Sequence, residues 1–147
     1  MSAPVRAAGG GRKSKDALQS VGDPGLTRVA PPDELRDEFA VQIWKSQSKL
    51  MIQRGTLSRE DLPILMAYCN SFSYMLEADR EITDNGFYTI TADGGKKKHP
   101  AVNVRNDSVS QLKMLGSMLG LDPLSRSRVI GGGATKPNED GNPFDEF

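Results

Sequence analysis

Few residues in this chain are of the types that make and break bonds, and their spacing argues against catalysis. His99 is the sole histidine and Cys69 the sole cysteine. A Ser-His-Asp triad needs its serine on a sharp strand-to-helix elbow, and no G-x-S-x-G occurs. A structural zinc site takes about four ligands, more than one cysteine and one histidine supply. Gly94-Gly95-Lys96 has the outline of a phosphate loop. The glycine required five residues before Gly95 is Ile90, however, and Lys97 stands where Ser or Thr should follow Lys96. The acidic pairs lie at helix starts or beside basic residues, as solvated faces do. The expectation is a non-enzyme with no cofactor and no metal, with His99 before Pro100 acting as a structural turn residue.

The chemistry that remains is that of charge. Lys+Arg and Asp+Glu both total 19, so the net charge of +0 points to no class of partner. Its distribution is more informative. In residues 1–31, Arg6, Arg12, Lys13, Lys15 and Arg28 against Asp16 and Asp23 leave +3; in residues 134–147, Lys136 against Glu139, Asp140, Asp145 and Glu146 leaves −3. A basic head and an acidic tail suit two different partners, or none. Arg12, Lys13 and Lys15 can follow a DNA backbone and gain from counterion release, or simply keep the head soluble. Lys96, Lys97 and Lys98 form the densest positive run, able to meet phosphates or to protect a strand edge from aggregation. Arg126 and Arg128 suit nucleic acid, an acid on a neighbouring helix or subunit, or the dipole at a helix end; the structural role comes first for Arg126. Phe144, Asp145, Glu146 and Phe147 ("NPFDEF") read as a short linear motif with two aromatic anchors in acidic surroundings.

These groups must be positioned by a small frame. The chain has 147 residues, 37% of them hydrophobic, and Gly plus Pro number 24. Such a composition fits one domain of roughly a hundred residues with disordered ends. Residues 1–30 are read as a flexible basic arm, 31–130 as the helical core and 131–147 as a disordered acidic tail. From Asp33 the pattern turns helical: Leu35, Phe39 and Ile43 recur beside Val41, Trp44 and Met51, and Arg54-Gly55 is a stop. Ser58 with Asp61 three residues on makes a capping-box start for a second helix, with Pro63 in its first turns. Along that helix Leu62, Leu65, Cys69, Phe72 and Leu76 form one seam, and Ile64, Tyr68, Met75 and Ile82 a second. A helix apolar on two faces needs the first helix on one side and a further helix or another subunit on the other.

Asn85-Gly86 ends the second helix, and "FYTIT", "ADGG" and "KKKHP" predict a β-hairpin near 87–99. Val104, Val109, Leu112, Leu115 and Leu119 mark a third helix from about Val102. Gly120 caps it, and Asp122-Pro123 starts a short last helix, packed through Leu121, Leu124 and Val129. The expected fold is mainly α: a long antiparallel helix pair, a third helix, a short C-terminal helix and one small hairpin. No segment has a leader's apolar stretch or membrane-spanning length, which with the lone cysteine predicts a cytoplasmic protein.

The order of these segments resembles the phage terminase small subunits, specifically those common in long-tailed, HK-type phages. The resemblance covers about residues 31–130 and the tail. It is carried by "PPDEL" leading to Trp44, by "LSREDLPILMAYC", by "DNGFYTI", and most specifically by "KKKHPAVNVRNDSVSQLKMLGSMLGLDPLSRSRV". In the last, a Lys-His-Pro-Ala start, a helix and a Gly-Leu-x-Pro-x-Ser-Arg exit follow in the family's order. The resemblance implies a homo-oligomeric ring that binds concatemeric double-stranded viral DNA in the host bacterial cytoplasm. It also implies delivery of that DNA to the large terminase subunit, which supplies the ATPase and nuclease. In such a ring the stripe Ile64, Tyr68, Met75 and Ile82 would be a subunit interface, and the tail would dock the large subunit. One departure stands out: residues 1–30 lack the periodicity of the helix-turn-helix domain that many small terminases carry there. DNA contact would then fall to Arg12, Lys13, Lys15, Lys96, Lys97 and Lys98, with Arg126 and Arg128 in support. Two other readings compete, a dimeric helical DNA-binding regulator and a protein scaffold that never touches DNA.

Overall fold

The backbone chemistry that starts and stops each helix is visible in the computed structural model, which describes residues 22–130. Helix α1 spans Glu38–Gln53, with the Asp37 carboxylate accepting from the Ala40 N–H at 2.9 Å. It begins five residues after the Asp33 start that the pattern predicts. The reason lies in Arg36, whose backbone N–H goes to Asn70 Oδ1 at 2.9 Å instead of into a helix. At the other end, Gly55 N donates to Ile52 O and Thr56 N to Met51 O, a closing pattern that needs the left-handed Gly55. The Ser58–Asp61 box forms as expected, with Ser58 N donating to Asp61 Oδ2 at 3.0 Å. It caps a single 3-10 turn, Arg59–Asp61, which runs into helix α2 at Leu62–Asn85. Strands β1 (Tyr88–Ile90) and β2 (Lys96–Lys98) form the antiparallel hairpin, and helix α3 follows at Pro100–Met118. Helix α3 starts two residues before the expected Val102, because Pro100 tolerates a first helical position. Helix α4 covers Pro123–Ile130.

Helix α2 is the middle of the frame, with α1 antiparallel on one side and α3 antiparallel on the other. The mainly α architecture is therefore as the sequence patterns predict, and α3 is the further helix that the two-faced α2 requires. The buried faces are not all the expected ones. On α1 the buried residues are Ala40, Trp44, Ser48 and Met51, while Phe39 is exposed beneath the guanidinium of Arg80, 4.5 Å from its ring centre. On α2 they are Leu65, Cys69, Ser73 and Ala78, with Leu62, Phe72 and Leu76 only partly buried. On α3, Ser108, Leu115 and Gly116 are buried, whereas Val104 and Val109 are exposed. Small side chains take these contacts because they let helix axes approach: a Cβ on Gly116 would already touch the Tyr68 ring at 3.4 Å. Burial pushes the Cys69 thiol up to about 12, so it stays protonated and packs as a small apolar group.

The α1–α2 contact is fixed by polar groups. The Ser73 hydroxyl, buried, donates to Asp37 and accepts from Arg36 Nη1 at 3.2 Å; Arg36 also pairs with Glu77 and lies 4.4 Å over the Tyr74 ring. Burial alone would raise the Asp37 carboxyl. The Ser73 hydroxyl, the Ala40 N–H and the Arg36 charge outweigh it and hold Asp37 below its ordinary 3.8. The segment 22–30, assigned above to the basic arm, is tied down at its start: Asp23 N donates to Leu57 O and Asp23 Oδ2 accepts from Arg59 N, both at 3.0 Å.

At the last corner, Gly120 (φ 67°) ends α3, with Leu121 N donating to Gly116 O at 2.8 Å. Asp122 Oδ1 then accepts from Ser125 N at 2.8 Å and starts α4. Leu121 reaches the core and Val129 rests over Gly120, but Leu124 is exposed and Ser125 takes the buried position expected of it. Gly120→Ala should cost about 1–2 kcal/mol for its left-handed conformation, lowering Tm, whereas Gly25→Ala, with open space around it, should not. A second expectation concerns pH. Asp37 is depressed in the fold, so its contribution is complete above 3.8 and is lost as pH falls through its lower folded value. Asp37→Asn should therefore be less stable than the parent in urea at pH 7, and the gap should close in acid.

Candidate nucleic-acid interface

The lysine run is displayed by a hairpin whose geometry is set from its base. Gly86 ends α2, and the chain turns outward through Phe87 into β1. The turn closes with Thr91 N donating to Gly95 O at 2.8 Å and Gly94 N to Thr91 O at 2.9 Å. The Thr91 hydroxyl also bonds Asp93, which is held below the ordinary carboxylate range first by that bond. Asp93 is the only acid in residues 87–99, against three lysines. The register places Tyr88 opposite Lys98, Thr89 opposite Lys97 and Ile90 opposite Lys96, and all three lysines are exposed.

Three-residue strands in a two-stranded sheet are not stable alone, so the hairpin borrows order from the helices beneath. His99 is the hinge of that arrangement. Its N–H donates to Phe87 O at 2.8 Å, and its Nδ1 accepts from Ala101 N at 3.2 Å, capping α3. With Nδ1 accepting, the ring hydrogen sits on Nε2, which lies 3.7 Å from Glu81 Oε1 on α2. Six residues further along α3, Arg105 Nε bonds Asp79 Oδ1 at 3.1 Å. His99 is thus a structural residue at a helix start.

The remaining basic groups lie elsewhere. Arg126 is partly buried in the corner, with Nη2 3.5 Å from Leu121 O, while Arg128 is exposed in the last turn of α4. The 19 residues of α3 separate α4 from the lysine hairpin, about 28 Å of helix at 1.5 Å per residue. The structure therefore does not gather the lysines and these arginines into one patch. Arg12, Lys13 and Lys15, and likewise Phe144, Asp145, Glu146 and Phe147, lie outside the described residues. Ile64, Tyr68, Met75 and Ile82 are partly buried, with Ile64 and Tyr68 packed against the core. More open apolar surface runs along α3, where Val104, Met114 and Met118 share one flank. Beside it is a groove of about 1060 Å³ between α2, α3 and the α3–α4 corner, lined by Tyr68, Leu112 and Leu121 among others.

Charge spacing misses one feature of the hairpin altogether: Phe87, Tyr88 and Ile90 are the most exposed large apolar side chains among the described residues. The β-branched and aromatic composition that marks them as strand residues says nothing of whether a core lies beneath. Among the described residues no group of His, Cys, Asp and Glu is arranged to hold a metal ion, and no helix is long and apolar enough to cross a membrane.

A sequence model of the family described as "Phage terminase, small subunit" matches residues 40–136. The chain belongs to this family. No curated protein and no solved structure gives a significant match. Membership assigns this terminase small subunit a general adaptor role in phage genome packaging, without singling out the HK-type branch. The matched span takes in nearly all of α1, the hairpin and the α3–α4 corner, but neither Arg12, Lys13 and Lys15 nor the "NPFDEF" end. The hairpin and its helical base thus lie inside the span that matches the family. Replacing His99 with Ala should cost about 1 kcal/mol as a lost helix cap and speed amide exchange at Thr89 and Lys97. Asn in its place should restore most of the protection.

Proposed function

We propose that this terminase small subunit is a ring-forming adaptor that binds concatemeric viral DNA and recruits and regulates the large terminase subunit. The observation that carries this reading is the exposed Lys96-Lys97-Lys98 strand, held out on a capped helical base in a chain of this family. Lysines fixed in position lose less freedom on meeting phosphates than those of a flexible chain. Arg12, Lys13 and Lys15 would add phosphate contacts, Arg128 further ones, and Arg126 would serve chiefly the corner. The open flank of α3, with the edge of the Ile64, Tyr68, Met75 and Ile82 stripe, supplies apolar surface for a neighbouring copy. Phe144, Asp145, Glu146 and Phe147 would engage the large subunit, which performs the catalysis. In a ring the lysine hairpins repeat, so individually weak contacts sum by multivalency. Such a protein works in the cytoplasm of the infected bacterium.

Light scattering of the purified chain should give one discrete assembly several times 16.0 kDa at both low and high salt. Reversing Lys96, Lys97 and Lys98 to Glu should leave that mass intact and weaken duplex binding. It should also flatten the dependence of log Kobs on log salt by about 2–3 per hairpin engaged. A monomer or dimer with a preference for palindromic sites would favour the regulator reading instead. Unchanged packaging activity after the lysine reversal would favour the scaffold.

A further inference from the structure

The hairpin displays more than charge. Alternate residues of a strand face opposite ways, so its register puts Tyr88, Ile90, Lys96 and Lys98 on one face and Thr89 and Lys97 on the other. Tyr88 and Ile90 are 64% and 78% exposed, and each stands directly across from a lysine. That pairing discriminates between partners. A protein docked here would have to bury two ammonium groups among apolar side chains, and lysine is depleted from protein interfaces accordingly. Duplex DNA accommodates both kinds of group. Its phosphates and guanine edges accept from ammonium groups, and its thymine C5-methyl groups offer apolar contact in the major groove. That groove is about 12 Å wide and admits a two-stranded ribbon.

We infer that the ribbon enters the major groove with the Tyr88, Ile90, Lys96 and Lys98 face toward the bases. Ile90 and Tyr88 rest on thymine methyl groups, Lys96 and Lys98 reach phosphate or guanine acceptors, and Lys97 stays on the outer face. This rests on the DNA-binding reading above and adds base-edge contact, with a modest sequence preference, to it. Lys96 and Lys98, two residues apart on β2, are separated by roughly 7 Å, so both can engage one stretch of duplex.

The test uses the full chain and two labelled duplexes of one sequence, one with thymine and one with uracil, which lacks the methyl groups. Binding is read by fluorescence anisotropy and assembly by light scattering. The wild type should bind the thymine duplex several-fold more tightly. The double variant Tyr88→Thr, Ile90→Thr keeps β-branched residues in the strand and should lose that difference while retaining salt-dependent binding. Lys96→Glu and Lys98→Glu, made singly, should each weaken both duplexes more than Lys97→Glu does. Equal wild-type affinity for the two duplexes would overturn the groove contact and leave DNA binding standing. A smaller assembly for the threonine variant, with thymine preference unchanged, would assign the face to a second copy of the chain and overturn the inference. Failure of the wild type to bind either duplex would sink the DNA reading itself.

Discussion

The close approach of α3 to α2 is the constraint on which the remainder depends. It is possible because Ser108 and Gly116 on α3 and Ala78 on α2 present little side chain. The Tyr68 ring occupies the space that a larger residue at 116 would claim. Two regions hang from this contact. At one end of α3, His99 and Arg105 meet Glu81 and Asp79 and set the base of the hairpin. At the other, Gly116 O receives the Leu121 N–H that folds α4 back. A shift of α3 along α2 would therefore displace the lysines and the α4 arginines together.

The α1–α2 contact is built on different physics. Ser73 is buried, and its hydroxyl is useful only because Asp37 accepts from it and Arg36 donates to it. Buried polar groups stabilise when every member is satisfied and cost when one is not. The Asp37 carboxylate also caps α1, so the same group starts the helix and ties it to its neighbour. Trp44 illustrates the opposite balance: its Nε1 is buried without a partner in the described structure. Burial of the large ring contributes more than the unmet N–H costs.

Local signals were legible in the sequence where a single residue type dictates the backbone. The Ser58–Asp61 box, the Arg54-Gly55 stop, the Asn85-Gly86 break and the Gly120-Leu121-Asp122-Pro123 corner all depend on caps and glycine, and all fall where the residues indicate. The buried faces were less legible. A search for large apolar residues finds Trp44, Met51, Leu65, Cys69 and Leu115 but also follows Phe39, Phe72, Val104 and Val109, and it passes over the buried Ala40, Ser48, Ser73, Ser108 and Gly116. The start of α1 was hard to place for a related reason: the Asp37 cap is local, but the Arg36 N–H just before it is taken by Asn70, 34 positions away. The lysine hairpin was legible as a unit, yet the division of its lysines between two faces needs the register, which only the folded strand pair supplies.

A ribbon of two three-residue strands has too few contacts to hold itself together, and the order of this one is lent by the α2–α3 frame. The division of labour has a thermodynamic consequence. The backbone freedom that Lys96, Lys97 and Lys98 would surrender at a phosphate backbone is partly surrendered already, because His99 caps α3 and its backbone N–H donates to Phe87 O. In the proposed assembly each hairpin then adds a modest contact of fixed direction. A set of them can hold a duplex in register while any one releases. Tight, single-site recognition by an inserted helix would resist the movement of DNA that packaging requires. Weak contacts on rigid supports do not.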